Sequence, residues 1–150
     1  MIKVPVVKTL LDSLSQQVAL LRPLQGVSLK ELTDDLLRWN GVLHVLQVSV
    51  EHVTDIGAHL LAGSGAGVPD SHREIVVKLG RSGILPYEFA QRIEPMMGFR
   101  NIVVHHYLSV DPLKVADILS NHLGDFDEFA VYVTDYLRRK GYLSSEEQGT

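Results

Sequence analysis

Apolar residues recur at spacings of three and four along nearly the whole chain, the pattern of amphipathic helices. Leu10, Leu11, Leu14, Val18, Leu21 and Leu24 mark a first helix over about 4–22, ending near Pro23. After the break at Gly26-Val27-Ser28, Ser28 with Glu31 three residues later reads as a capping box. It opens a long helix over roughly 28–62, with Leu32, Leu43, Leu46, Val50, Val53 and Leu60 on its apolar side. Asn40-Gly41 falls in the middle of that stretch and predicts a turn or kink there. Asp70 or Ser71 caps a short helix over about 71–81, which Gly80-Arg81-Ser82-Gly83 ends. Pro86 suits the first position of the next helix, over about 86–107, and Pro95 inside it predicts a kink or break. Asp111-Pro112 starts a last helix reaching about Arg139, bent at Gly124 and stopped by Lys140-Gly141. The polar tail from about 144 is expected to fray. Ile75-Val76-Val77 and Ile102-Val103-Val104 are β-branched, but each sits inside a helical period. The expected fold class is all-α, an antiparallel bundle of four or five helices in one domain over 1–150.

Composition narrows the chemistry. The 150 residues are enough to bury a substantial core. None is cysteine, which removes disulfides, thiolate metal sites and cysteine nucleophiles. No apolar run nears the roughly 20 residues of a membrane span. The opening residues lack a signal-peptide pattern, because Lys8 and Asp12 interrupt their apolar stretch. The default expectation is a cytoplasmic protein that does not engage a membrane. The 14 basic and 18 acidic residues leave a formal net charge of −4, which argues against coating nucleic acid by charge alone. That balance still leaves room for a small local basic site. Gly63-Ser64-Gly65-Ala66-Gly67 has alternating glycines, but no strand precedes it and no lysine follows. It reads as a flexible connection rather than a phosphate cradle.

Four of the seven histidines fall in two places: His52 and His59 on the second helix, and the adjacent pair His105-His106. On a helix Asn101 and His105 are four apart and share a face, so the Asn101 amide would set the tautomer and orientation of the ring. Arg100, one residue round, has the reach to enter the same pocket. A cation beside an imidazole is an odd choice for a core. It makes sense where both converge on a phosphodiester, arginine holding the oxygens and histidine moving a proton. The residues alone leave open a surface arginine beside a partly buried histidine. On the second helix, Glu51, Asp55 and His59 are spaced by four and line one face, with His52 seven residues from His59. Carboxylates and imidazoles within a bundle are the composition of a metal site. The Glu-x-x-His pattern of two-metal bundles is missing, so no metal ligand is assigned and a solvated face is expected. Asp55 has a second use, as the acidic neighbour that orients Arg100 or His105.

The run Arg100-Asn101-Ile102-Val103-Val104-His105-His106-Tyr107 resembles the R-x-x-x-x-H-x-Y motif of HepT-type toxins in the HEPN superfamily. Val53-Thr54-Asp55-Ile56-Gly57-Ala58-His59-Leu60-Leu61 resembles the family's second-helix signature. Gly83-Ile84 and the helix leading into Met97-Gly98-Phe99 resemble its approach to the motif, and Asp111-Pro112 with the long last helix also fits. The similarity covers roughly residues 30–140. It implies a homodimeric ribonuclease toxin that needs neither metal nor cofactor, with two motif copies in a cleft between protomers. It implies an MntA-type nucleotidyltransferase antitoxin as partner, which silences the toxin by transferring AMP from ATP to the motif tyrosine. Carried over residue by residue, Arg100 and His105 match the catalytic pair, Asn101 the polar residue after the arginine, and Tyr107 the AMP acceptor. Position 106 varies in the motif and is a second histidine here; His106 either competes for the proton-transfer role or is a solvated neighbour. Two further readings stand beside this one. The first is a non-catalytic nucleotide-binding or regulatory partner of a nucleotidyltransferase, and the second a helical-bundle metalloprotein.

Overall fold

The computed structural model of the chain describes residues 2–144. Among these residues the chain forms seven α-helices and two short 3-10 turns, and no strand. The helices are α1 (Val4–Leu21), α2 (Leu29–Asp34), α3 (Leu36–Ser64), α4 (His72–Arg81), α5 (Tyr87–His105), α6 (Pro112–Asn121) and α7 (Leu123–Arg139). The 3-10 turns are Arg22–Leu24 and Tyr107–Ser109. The expected all-α bundle stands. The longest element, α3, is central: α1, α4, α5 and α7 all pack against it. Its buried stripe of Leu43, Leu46, Val50, Val53, Ile56 and Leu60 faces Leu14 and Val18 of α1, Leu79 of α4, Phe89 of α5 and Phe129 of α7 in one contiguous core. No described helix is long and apolar enough to cross a membrane.

Three local outcomes differ from the sequence expectations. The long second helix is interrupted at Asp35 and not at Asn40-Gly41. Asp35 adopts an extended backbone (φ −100°, ψ 110°), and its carboxylate accepts the Arg38 N–H at 3.1 Å, so the residue recaps the chain and starts α3 afresh. The helix runs through Gly41 because Val42, Leu43 and Leu46 are buried, and that burial outweighs the weak helix propensity of one glycine. The predicted last helix is likewise two, α6 and α7, divided at His122 (φ −125°, ψ 0°), two residues before Gly124. There the imidazole lies 3.0 Å from Asp125 and 3.3 Å from Asp117, a local polar cluster that competes with helix continuation. Finally, α5 passes through Pro95 unbroken and stops at His105, two residues early, with Pro86 as its cap and not its first residue.

The caps at Ser28, Ser71 and Asp111 are as the sequence indicates: each side chain accepts a backbone N–H of the first turn. Gly65 ends α3 in the left-handed conformation (φ 77°), which favours glycine. The tail expected to fray from about 144 lies, from residue 145 on, outside the described residues.

Candidate functional site

The candidate motif occupies the last two turns of α5 and the 3-10 turn that follows. Val103 anchors it, buried in the core, with Ile102 packed partly buried beside it and Val104 exposed. Arg100 is half-buried against α3, where its Nε–H donates to Glu51 Oε1 at 3.0 Å. The same oxygen accepts from Gln47 Nε2 at 3.1 Å. Burial by itself raises the Glu51 carboxyl's pKa. The hydrogen bonds from Gln47 and Arg100, with the charges of Arg100 and His72, outweigh it and hold the group below its ordinary value. Glu51 is therefore an anion fixed beneath the arginine. With Nε engaged, the outer edge of the guanidinium remains for an incoming anion. Its Nη1 also donates to Asn101 Oδ1 at 3.2 Å, which braces the fork from the other side.

This arrangement revises two sequence expectations. Asp55 was the expected acidic neighbour of Arg100 or His105, but the carboxylate that meets the guanidinium is Glu51, one turn earlier on α3, while Asp55 is exposed and makes no described hydrogen bond to either. Asn101 was expected to orient His105. Both are exposed on the outer face of α5, but the amide oxygen serves Arg100, and no described hydrogen bond links it to the imidazole. The sequence showed Glu51 only as part of a carboxylate–histidine face. Its pairing with Arg100 is a contact between helices 49 residues apart in the chain, which no local spacing reveals.

His72, the first residue of α4, was not singled out by the sequence. Its Nδ1 lies 2.8 Å from Thr54 Oγ1. The same hydroxyl is within hydrogen-bond reach of the Glu51 backbone carbonyl at 3.1 Å and the Val50 carbonyl at 3.4 Å. The Glu51 carboxylate is thus held by side chains of α3 and α5, and its backbone carbonyl meets the Thr54 hydroxyl that contacts His72 of α4.

His105 ends α5 and is exposed, five residues or about 1.4 turns from Arg100. The two side chains consequently leave the helix on different sides. His106 has already left the helix (φ −134°, ψ 42°), and Tyr107 begins the 3-10 turn with its side chain exposed. Tyr107 is therefore not carried on the helix that bears His105. Apolar side chains surround this turn in the open: Leu108 is 95% exposed and Leu113, at the start of α6, 66%.

The other histidine group does not join the site. His52 Nε2 lies 2.8 Å from Ser13 Oγ, and His59 Nε2 accepts the Lys3 backbone N–H at 3.0 Å. Both rings hold α1 against α3, while Glu51 turns towards α5. Among the described residues, no three His, Asp or Glu side chains are grouped so as to hold a metal.

Comparison with known proteins adds the following. The family model described as "Ribonuclease HepT-like" matches residues 14–133. A "tRNA nuclease HepT" from Aphanizomenon flos-aquae is 26% identical over 132 residues, 88% of this chain and 90% of that protein. An "mRNA nuclease HepT" from Shewanella oneidensis is 27% identical over 99 residues, 66% of this chain and 74% of that protein. The solved structure of a tri-AMPylated HEPN toxin from Shewanella oneidensis, in complex with its MNT antitoxin, has the same fold. It superposes with a TM-score of 0.78 at 22% identity, over 87% of this chain and 97% of that one.

Proposed function

The chain belongs to the HepT-like ribonuclease family, and from that premise we propose that it is an endoribonuclease toxin, silenced by AMP transfer from a nucleotidyltransferase antitoxin. The observation that carries the reading is the anchored Arg100. A guanidinium fixed by Glu51 and Asn101, with its outer edge open and histidines at the end of the same helix, is a phosphodiester site.

The chemistry is transphosphorylation, with RNA as substrate. A general base removes the proton of a ribose 2′-hydroxyl, and the oxygen attacks the adjacent phosphorus. The 5′-oxygen then leaves with a proton from a general acid, and the product carries a 2′,3′-cyclic phosphate. Charge accumulates on the non-bridging oxygens at the transition state, where Arg100 stabilises it. His105 moves one of the two protons, and His106 stands next to it as the rival for that role. The reaction needs no metal ion.

One protomer supplies Arg100 on one side of α5 and His105 on another. A homodimer brings a second copy of each, so that one imidazole acts as base and its symmetry mate as acid. The exposed apolar side chains around Tyr107, Leu108 and Leu113 support such an interface beside the motif.

Tyr107 is the AMP acceptor in this reading. Its side chain is exposed, two residues past His105 in the chain. An added AMP would bring a phosphate to the position that RNA occupies and pair with the open edge of Arg100. The test is mass spectrometry of the protein after incubation with its antitoxin and ATP, alongside growth assays. Adducts should appear on Tyr107, growth should recover, and Tyr107→Phe should escape neutralisation. Adducts confined to other residues, or a Tyr107→Phe protein still neutralised by AMP transfer, would refute the assignment.

A further inference from the structure

A cavity of about 570 Å³ opens between α5 and α6, bounded by the end of α4 that carries Arg73 and by His122. Its floor is apolar, made by Met96, Phe99, Ile102 and Ile118, and its size suits a small organic group. Asn101 lines it as well, so the cavity shares a wall with the Arg100 site. Because Asn101 Oδ1 accepts from Arg100, the amide NH2 is the part left to donate to a ligand. From α6, Asp117 contributes a carboxylate whose Oδ1 accepts from Asn121 Nδ2 at 2.7 Å and whose Oδ2 lies 3.3 Å from His122, with lone pairs left over for a ligand donor, and Lys114 a cation that makes no ion pair among the described residues.

The charges at the rim define the occupant. Arg73 is paired with Glu94 at 2.6 Å, and Arg92 with Asp125 at 3.3 Å and with Glu128. Two of the rim cations are therefore already neutralised, and the cavity is a poor trap for a polyphosphate. An apolar floor with a donor on one edge and an acceptor on the other suits a flat heteroaromatic ring, and Lys114 remains for a single adjoining phosphate. We propose that this cavity is a base-selecting subsite. It takes the nucleobase next to the phosphodiester held by Arg100, packs the ring on Phe99 and Ile118, and reads its edge with Asn101 and Asp117. The proposal rests on the ribonuclease reading of Arg100 and His105, and it adds the residues that choose where the RNA is cut.

The experiment has two arms. In the first, single-stranded RNAs differing in one base beside the cut site are cleaved by the full-length protein. The wild type should spread their kcat/KM values by about tenfold or more. Gly98→Leu fills the cavity, since a Cβ at Gly98 meets nothing nearer than Arg73 Nη1 at 3.6 Å. It should abolish the spread while cleavage itself persists, and Asp117→Asn should change which base is favoured. In the second arm, AMP, GMP, CMP and UMP are titrated separately into 15N-labelled protein. Amide shifts should centre on Gly98, Asn101, Ile102 and Asp117. An undiminished base preference in Gly98→Leu and Asp117→Asn, or nucleotide shifts that are absent or lie away from the cavity, would overturn the subsite. Shifts at the cavity in a protein that cuts no RNA would instead overturn the ribonuclease reading and leave a nucleotide site.

Discussion

At the scale of single residues, Glu51 decides how Arg100 is presented. Replacing it by glutamine removes the charge but keeps the shape, so the guanidinium loses its charge-assisted anchor while the helices stay packed. Glu51→Gln should lower RNA cleavage by about 10²-fold, the order expected when a reacting group is misplaced by about 1 Å. Circular dichroism should be unchanged. The carboxyl also makes stability depend on pH. In the fold its pKa lies below the ordinary value, so as the pH falls the unfolded chain takes up this proton before the folded chain does. The stabilisation is complete above the ordinary carboxylate range and is lost as the pH falls through the lowered value. Urea unfolding should therefore separate wild type from Glu51→Gln most at neutral pH and bring them together in acid. A difference that stays constant with pH would show that the charge is not the stabilising element. The motif residues themselves were legible in the sequence, because Arg100, Asn101, His105 and Tyr107 are close together in the chain. Glu51 and His72 reach the site only through packing between helices, and no spacing along the chain reports that.

At the scale of elements, the sequence is informative wherever a helix is decided locally and fails where packing or a competing side chain decides. Ser28, Ser71 and Asp111 were legible because a cap is made within one turn. Asn40-Gly41 misled because a weak helix former is carried by buried neighbours, and Asp35 was missed because an aspartate in a helical period looks like an ordinary exposed position. Two glycine substitutions separate local propensity from packing. Gly41 is helical, and an added Cβ meets nothing within 4 Å. Gly41→Ala should stabilise the protein by about 0.5–1 kcal/mol. Gly80 lies where α4 meets α5, and an added Cβ would come within 2.6 Å of the Ala90 Cβ, which moves only with its backbone. Gly80→Ala should destabilise by about 1–3 kcal/mol despite the better helix propensity of alanine. Chemical denaturation of the two variants reads both effects, and a stabilised Gly80→Ala would contradict the close approach of the two helices.

At the scale of the whole molecule, the homodimer proposed above would account for both the open apolar turn beside the motif and the divergence of Arg100 from His105. Light scattering at micromolar concentration should give twice the monomer mass. The double variant Leu108→Glu, Leu113→Glu should give the monomer mass and lose cleavage, with its helical content intact. A monomeric wild type that cleaves RNA at the same specific rate on dilution would remove the composite site. The central claim is that Arg100 and His105 cut RNA without a metal. It is tested most directly by incubating pure protein with RNA in excess EDTA and following the cleaved ends. Wild type should cut and leave 2′,3′-cyclic phosphate ends, while Arg100→Ala and His105→Ala should each be slower by about 10²–10⁴-fold. Cleavage abolished by EDTA, or a His105→Ala protein as active as wild type, would contradict it.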